Sequence, residues 1–253
     1  MTIAERRATF RKLHESGCFV IPNPSSVGEA KRLAKLGFKA IASSSAGSAW
    51  IFGKEDGELT RDEVLSHMRD LVAATDLPVN ADFENGFADA PEDVAANVAM
   101  AIDTGVAGLS IEDWSGHAVY DLPLATARIA AARAAIDRSG TGTLLVGRAE
   151  GVLRGVETLD EVIIRLRAYA DAGADCLFAP GVRDLGQIRE LVSAVAPKPL
   201  NIILSRPGLS VADVAAAGVR RVSTGGALAD AAWRGFDVAS RSLAEHGVMP
   251  PTT

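Results

Sequence analysis

The chain has 253 residues, with 26 Lys or Arg against 32 Asp or Glu and a net charge of -6, so it carries no broad positive field and nucleic acid is not an expected partner. With 48% hydrophobic residues and no Pro/Gly/Ser-rich linker or change of composition, residues 1–253 read as a single domain long enough for one α/β barrel. The first 17 residues, MTIAERRATFRKLHESG, are charged and amphipathic without an apolar signal core, and no later run is long enough to cross a bilayer, so the expected location is the cytoplasm, away from membranes.

Apolar runs of strand length occur in chain order at residues 18–21 (CFVI), 38–42 (FKAIA), 77–81 (LPVNA), 108–111 (GLSI), 144–147 (LLVG), 176–179 (CLFA), 200–204 (LNIIL) and 220–223 (RRVS). Segments with helical spacing separate them, at residues 27–36, 61–72, 91–102, 124–136, 159–170 and 184–195. Four joints repeat one punctuation, a glycine at 37, 105, 173 or 218 just before the next strand, which fits a helix C-cap. Apolar strands alternating with helices predict parallel pairing with both faces covered, and eight such units predict a (β/α)8 barrel. A doubly wound sheet is the rival, but no GxGxxG follows the first run. Cys18 and Cys176 open apolar runs and read as buried free thiols.

Charged residues stand where three successive runs stop: Asp82 and Glu84 in PVNADFENG, Glu112 and Asp113 in GLSIEDW, Arg148 and Glu150 in LLVGRAEG. In a parallel barrel the C-terminal strand ends meet on one face, so these residues are expected to form one site. Gathered carboxylates repel, and either a divalent cation or shifted pKa values must relieve the repulsion. The plainer reading is that the acids cap the following helices or pair with Arg148. For Glu150 that reading is preferred, as the partner that orients Arg148, and Asp113 is expected to brace the fourth-strand loop or join the site. Asp56 and Glu58 occupy a charged loop that suits a solvated turn as well as a site role. His67, in a helical segment, is expected at the surface or an interface, and His14 and His246 away from the site.

These segments, together with Ala42-Ser43-Ser44-Ser45 and GKEDG at 53–57, resemble the isocitrate lyase and phosphoenolpyruvate mutase superfamily over nearly the whole chain. The resemblance implies a (β/α)8 barrel that binds Mg2+ (or Mn2+) and a small carboxylic acid substrate, and that makes or breaks a carbon-carbon or phosphorus-carbon bond beside an enolate. It also implies a homo-oligomer, dimer or tetramer, with exchanged helices. Position by position, it makes Asp82 the acid nearest the metal, and Glu84, Glu112 and Asp56 the remaining acidic shell. Ser44 and Ser45 become the carboxylate grip, Arg148 a two-point substrate ligand and Asp56 a further substrate-side residue. The catalytic group is then Asp82, Arg148 and Glu112, with His117 as proton donor.

Two departures narrow the activity. The stretch after the fourth strand, DWSGHAVYDLPLA, has neither the lysine pair and cysteine of the isocitrate-type lyases nor the lysine-asparagine-serine pattern of the mutase, and Pro180 stands where the mutase has histidine. The expected reaction is therefore decarboxylation or retro-aldol cleavage of a small 2-oxo or 2-hydroxy acid, which needs no thiol acid. A mutase-like or phosphonopyruvate hydrolase-like enzyme is the alternative, and a catalytically silent carboxylate-binding barrel the second.

Overall fold

A computed structural model describes residues 1–251. The strands are β1 (Phe19–Ile21), β2 (Ile41–Ala42), β3 (Val79–Asp82), β4 (Gly108–Glu112), β5 (Leu144–Arg148), β6 (Cys176–Phe178), β7 (Leu200–Ile203) and β8 (Arg221–Ser223). All neighbouring pairs are parallel, in the order β1-β8-β7-β6-β5-β4-β3-β2. The helices are α1 (Ile3–Leu13), α2 (Val27–Lys35), α3 (Ser45–Ile51), α4 (Arg61–Ala74), α5 (Pro91–Asp103), α6 (Leu122–Ser139), α7 (Gly151–Arg154), α8 (Leu159–Asp171), α9 (Leu185–Val195), α10 (Val211–Ala216) and α11 (Ala227–His246). This is the (β/α)8 barrel expected from the alternation. All eight apolar runs became strands, and β3, β4 and β5 each continue one residue past the run to end on Asp82, Glu112 and Arg148. A ladder does not stop at the first charged side chain, because its bonds are made by backbone.

Local chemistry sets the helix ends. Thr2, Thr60, Thr158 and Ser210 each form a reciprocal capping box with the acid three residues on. The glycines at 37, 105, 173 and 218 all have positive φ just beyond their helices, as the repeated punctuation predicts.

Two apolar layers result. The larger lies between strands and helices; the smaller fills the barrel axis with Ile21, Ala42, Leu144, Val146, Cys176 and Phe178. Phe10 of α1 belongs to the inner layer and plugs the barrel from below. Its ring approaches Gly108 so closely that a Cβ there would lie 2.6 Å from it, so this strand position requires glycine. The ends of the sheet, β1 and β2, are joined by Ala42 N–H donating to Pro22 O at 3.0 Å. Asn23 completes the closure: its Nδ2 donates to Ser43 O at 2.6 Å, and its Oδ1 accepts from the N–H groups of Thr224 and Gly225, each at 2.9 Å.

Cys176 is buried and Cys18 half-buried, both free, and burial pushes the Cys176 thiol up to about 11, which makes it inert. His67 corrects its expectation. It lies inside, 6% exposed, because it shares the face of α4 that carries Val64, Met68 and Leu71. Among the described residues no helix is long and apolar enough to cross a membrane.

His14 is also buried, sandwiched edge-on between Phe10 and Phe19 with ring centroids 4.7 and 4.9 Å away, and its Nδ1 hydrogen-bonds to Phe10 O at 2.8 Å. Burial, helped by nearby Arg221, holds it down to about 3. As pH falls below the ordinary histidine value of about 6.5, the unfolded chain takes up a proton that the folded chain refuses. Native stability is therefore lost progressively from about pH 6.5 toward about 3. Urea unfolding of His14→Gln between pH 7 and 4 should show a shallower loss than the parent; equal slopes would remove His14 from the acid sensitivity.

Candidate active site

Because β3, β4 and β5 are adjacent and in register, their terminal residues face one another: Asp82 pairs with Ser110, and Glu112 with Arg148. Arg148 occupies the centre. Its Nη1 lies 3.4 Å from Asp82 Oδ1 and 3.3 Å from Glu112 Oε2, while its Nε donates to Glu150 Oε1 at 2.6 Å. The guanidinium also lies over the Phe178 ring, 5.2 Å from its centroid. Burial opposes this charge, but Glu150, Glu112 and Asp82 together outweigh the opposition.

Glu150 is fully buried and holds Arg154 as well, at 3.1 Å, so its place is behind Arg148 rather than in the cavity. Asp113 braces this arrangement. It accepts from the Glu150 N–H at 2.8 Å and from the Tyr169 hydroxyl at 2.6 Å, with Arg165 at 3.6 Å. The preferred reading of both residues as supports agrees with these contacts.

Glu84 sits two residues beyond the end of β3 with φ of 47°, and Phe87 follows with 56°. Such left-handed backbone is costly for residues with a Cβ and survives only where the surroundings impose it. Here the Glu112 N–H donates to Glu84 O at 2.9 Å, and Arg128 of α6 clamps the loop. Arg128 is 1% exposed, donates to the carbonyls of Asn85 and Ala88, reaches Glu112 O at 3.4 Å, and stacks on Tyr120 at 4.0 Å. Tyr120 in turn hydrogen-bonds to Asp89.

Burial, reinforced by Asp82 and Asp56 and opposed by Arg148, pushes the Glu84 carboxyl up to about 8. Burial likewise raises Glu112 well above the ordinary carboxylate value, with Arg148 opposing and Glu150, Asp82 and Glu84 adding. The Glu84 Oε1 atom is buried without a hydrogen-bond partner. An oxygen-only donor set with an orphaned carboxylate oxygen suits a hard divalent cation. Among the described residues no three His, Cys, Asp or Glu side chains stand close enough to hold an ion between them. The expected ligands Asp82, Glu84 and Glu112 therefore fit Mg2+ that keeps several of its waters, rather than an all-protein cage.

The serine loop adjoins this acidic group. Ser45 N–H donates to Asp82 Oδ2 at 3.2 Å, and Asp82 N–H donates to Ser43 Oγ at 2.8 Å, which locks the serine loop to β3. Ser44 caps α3 by accepting from Gly47 N–H at 3.3 Å. Ser44 and Ser45 both line the central hollow with Arg148, and Asp56, exposed at its loop tip, borders this hollow and the adjoining acidic one. Lys54 anchors the Asp56 loop by pairing with Glu63 at 2.6 Å.

The proposed proton donor His117 is not brought in. Residues 114–119 fold back on themselves through a Trp114–Val119 bridge and through Ser115 Oγ bonding Ala118, leaving His117 exposed at the tip and outside the cavity lining. Trp114 does line the acidic hollow and carries Arg154 on its ring at 4.7 Å. Sequence reasoning missed Arg128, Arg165 and Tyr169. Arg128 and Arg165 lie on the apolar stripes of α6 and α8, and a charge on such a stripe was the available signal.

A model of the family "Phosphoenolpyruvate phosphomutase" matches residues 10–244. An oxaloacetate decarboxylase of Bradyrhizobium sp. (strain ORS 278) is 33% identical over 233 residues, 88% of this chain and 78% of its own. The crystal structure of a lyase/mutase candidate from Burkholderia cenocepacia J2315 is 43% identical with a TM-score of 0.94, covering 98% of this chain and 90% of that one. Oxaloacetate acetylhydrolase in complex with oxalate is 26% identical with a TM-score of 0.90, over 98% of this chain and 90% of that one.

Glu150→Gln keeps the shape behind Arg148 but removes the charge. It should lower kcat/KM by about 10–100-fold, the usual cost of losing a supporting partner of a site residue. Steady-state kinetics with far-ultraviolet circular dichroism as the folding control would test this, and unchanged kinetics would confine Glu150 to scaffolding.

Proposed function

The chain belongs to the phosphoenolpyruvate phosphomutase family of the isocitrate lyase superfamily, and on that premise we propose that it is a cytoplasmic, metal-dependent carbon-carbon lyase acting on a small 2-oxo or 2-hydroxy carboxylic acid. The observation that carries this reading is the juxtaposition of Arg148 with Asp82 and Glu112 at 3.3–3.4 Å, beside a serine loop hydrogen-bonded to Asp82. Mg2+, held by Asp82 with Glu84, Glu112 and Asp56 through its waters, would supply positive charge where an enolate develops. Mn2+ accepts the same oxygen donors.

The side chains do the rest. Arg148 would meet the substrate carboxylate through Nη2, since its Nε is held by Glu150 and its Nη1 lies between Asp82 and Glu112, with the Phe178 ring at its face. Ser44 and Ser45 grip the same end from the α3 side. With the carboxylate held in one plane, the breaking bond can stand perpendicular to the forming enolate, and orientation lowers the barrier. His117 points away, so the enolate carbon takes its proton from solvent at the open mouth.

Cleavage of oxaloacetate-like acids is favoured because relatives carrying those names cover most of the chain. A second reading, phosphorus-carbon hydrolysis, is supported by the family model itself. Mutase chemistry is disfavoured, because the stretch after the fourth strand lacks the lysine-asparagine-serine pattern of the mutase and Pro180 stands in place of its histidine.

Assembly belongs to the same proposal. Helix α11 runs for 20 residues with Ala229 its buried residue, while Trp233, Phe236 and Leu243, which share one face, are 41–62% exposed. An apolar face of that extent fits a second copy of the chain. Trp233→Asp with Phe236→Asp should shift sedimentation velocity from oligomer to monomer at unchanged circular dichroism; an unshifted profile would remove α11 from the interface.

Product analysis by mass spectrometry, with oxaloacetate, alkylmalates and phosphonopyruvate, tests the reaction. Metal-dependent pyruvate or another 2-oxo acid is expected, with Asp82→Ala reducing turnover by at least about 10³-fold, the scale of losing a charge-stabilising group. Full activity in Asp82→Ala, or in the presence of chelator, would overturn the assignment.

A further inference from the structure

Arg221 of β8 is the buried cation whose charge the site described above leaves unused. It is 3% exposed, its one hydrogen bond is Nη1 to Asn80 Oδ1 at 3.3 Å, and its Nε has no partner. Among the described residues no carboxylate comes within ion-pair distance of it, whereas Arg148 and Arg165 are paired with acids and Arg128 with backbone carbonyls. Taking a guanidinium out of water without an anion is expensive, so a buried unpaired one calls for a partner that arrives from outside.

The surroundings show where that partner would come from. Arg221 lines the floor of the central hollow, the same hollow whose wall carries Arg148 and Ser44. Below it the Phe10 ring seals the barrel, 5.9 Å from the guanidinium. Around it the floor is polar, with Asn80, Ser110 and Ser223 also lining the hollow. Asn201, in register on β7, has a free Oδ1, and its Nδ2 is spent on Ser223 Oγ at 3.0 Å.

We propose that Arg221 is the residue that receives the second carboxylate of an oxaloacetate-like substrate whose first carboxylate meets Arg148, both arginines lining the one hollow. This rests on the lyase reading and assigns Arg221 its role within it. Two cations, one on the wall and one on the floor, match the two ends of a diacid; a monocarboxylate satisfies only Arg148 and leaves Arg221 as it stands. Arg221 is thus a specificity determinant, and its fork geometry matters as well as its charge.

The test is calorimetric binding of succinate and of butyrate, a pair that differs by one carboxylate, to the full chain with Mg2+, for the parent, Arg221→Lys and Asn80→Asp. Asn80→Asp would give Arg221 a permanent carboxylate at its existing hydrogen-bond position, so it fills the subsite without removing the arginine. The parent should prefer succinate by at least about tenfold, since a hydrogen-bonded charge pair contributes roughly that much. Both variants should lose most of that preference while butyrate affinity changes less than about twofold, the range of a substitution away from the shared contacts. Preference retained in both variants would overturn the Arg221 subsite and leave the lyase reading intact. Failure of the parent to bind either acid would overturn the lyase reading and the subsite with it.

Discussion

One guanidinium shared among three carboxylates holds the mouth of this barrel together. Asp82, Glu112 and Glu150 would repel one another as neighbours on adjacent strand ends, and Arg148 in their midst turns that repulsion into a network. The network exists only because the strands are parallel and in register; a slip of one residue would send every one of these side chains to the opposite face. Arg148 supplies one positive charge, and burial, with the neighbouring acids, holds Glu84 and Glu112 above the ordinary carboxylate value.

The parts of the molecule that hold this centre lie one shell farther out. Arg128 from α6, and Arg165 and Tyr169 from α8, reach inward past the helix-strand interface to grip backbone or Asp113. Arg128 lets the loop after β3 keep two residues in left-handed backbone, at Glu84 and Phe87, without glycine. Replacing either by glycine would ease the backbone but forfeit a side chain: for Glu84 its carboxylate, for Phe87 its edge-on contact with Phe83 at 5.1 Å. The strain is thus tolerated for the sake of positioning.

Much of this was legible in the amino-acid order. Parallel strands buried on both faces leave short apolar runs, and the acids at their ends could be assigned to one face because a barrel has only one C-terminal rim. What was not legible depends on direction. His117 is close in sequence to Glu112, yet the turn bonds to itself and carries the ring into solvent. His67 was expected at the surface or an interface from its helical segment, although its spacing from Val64 and Leu71 puts it on the buried stripe. Arg221 was read only as part of the run at 220–223, since periodicity cannot tell a side chain that points along the barrel axis from one that packs outward. Asn23, between β1 and α2, carries no pattern at all; its role arises from where β8 ends.

That last contact bears on how the chain acquires its shape. Asn23 ties residues 201 and 202 positions away in sequence, while the strands bearing the acids and Arg148 are neighbours joined by single βα units. During synthesis the β3-β4-β5 portion can pair as it emerges, but β1 must wait for β8 before its open edge is covered. Until then an unsatisfied strand edge faces solvent, and the ring closes by a late, long-range step with a large loop-closure cost. The hollow acquires its floor arginine from the strand that closes the ring, so a nascent or truncated chain lacking β8 has the acidic rim without the base of the pocket.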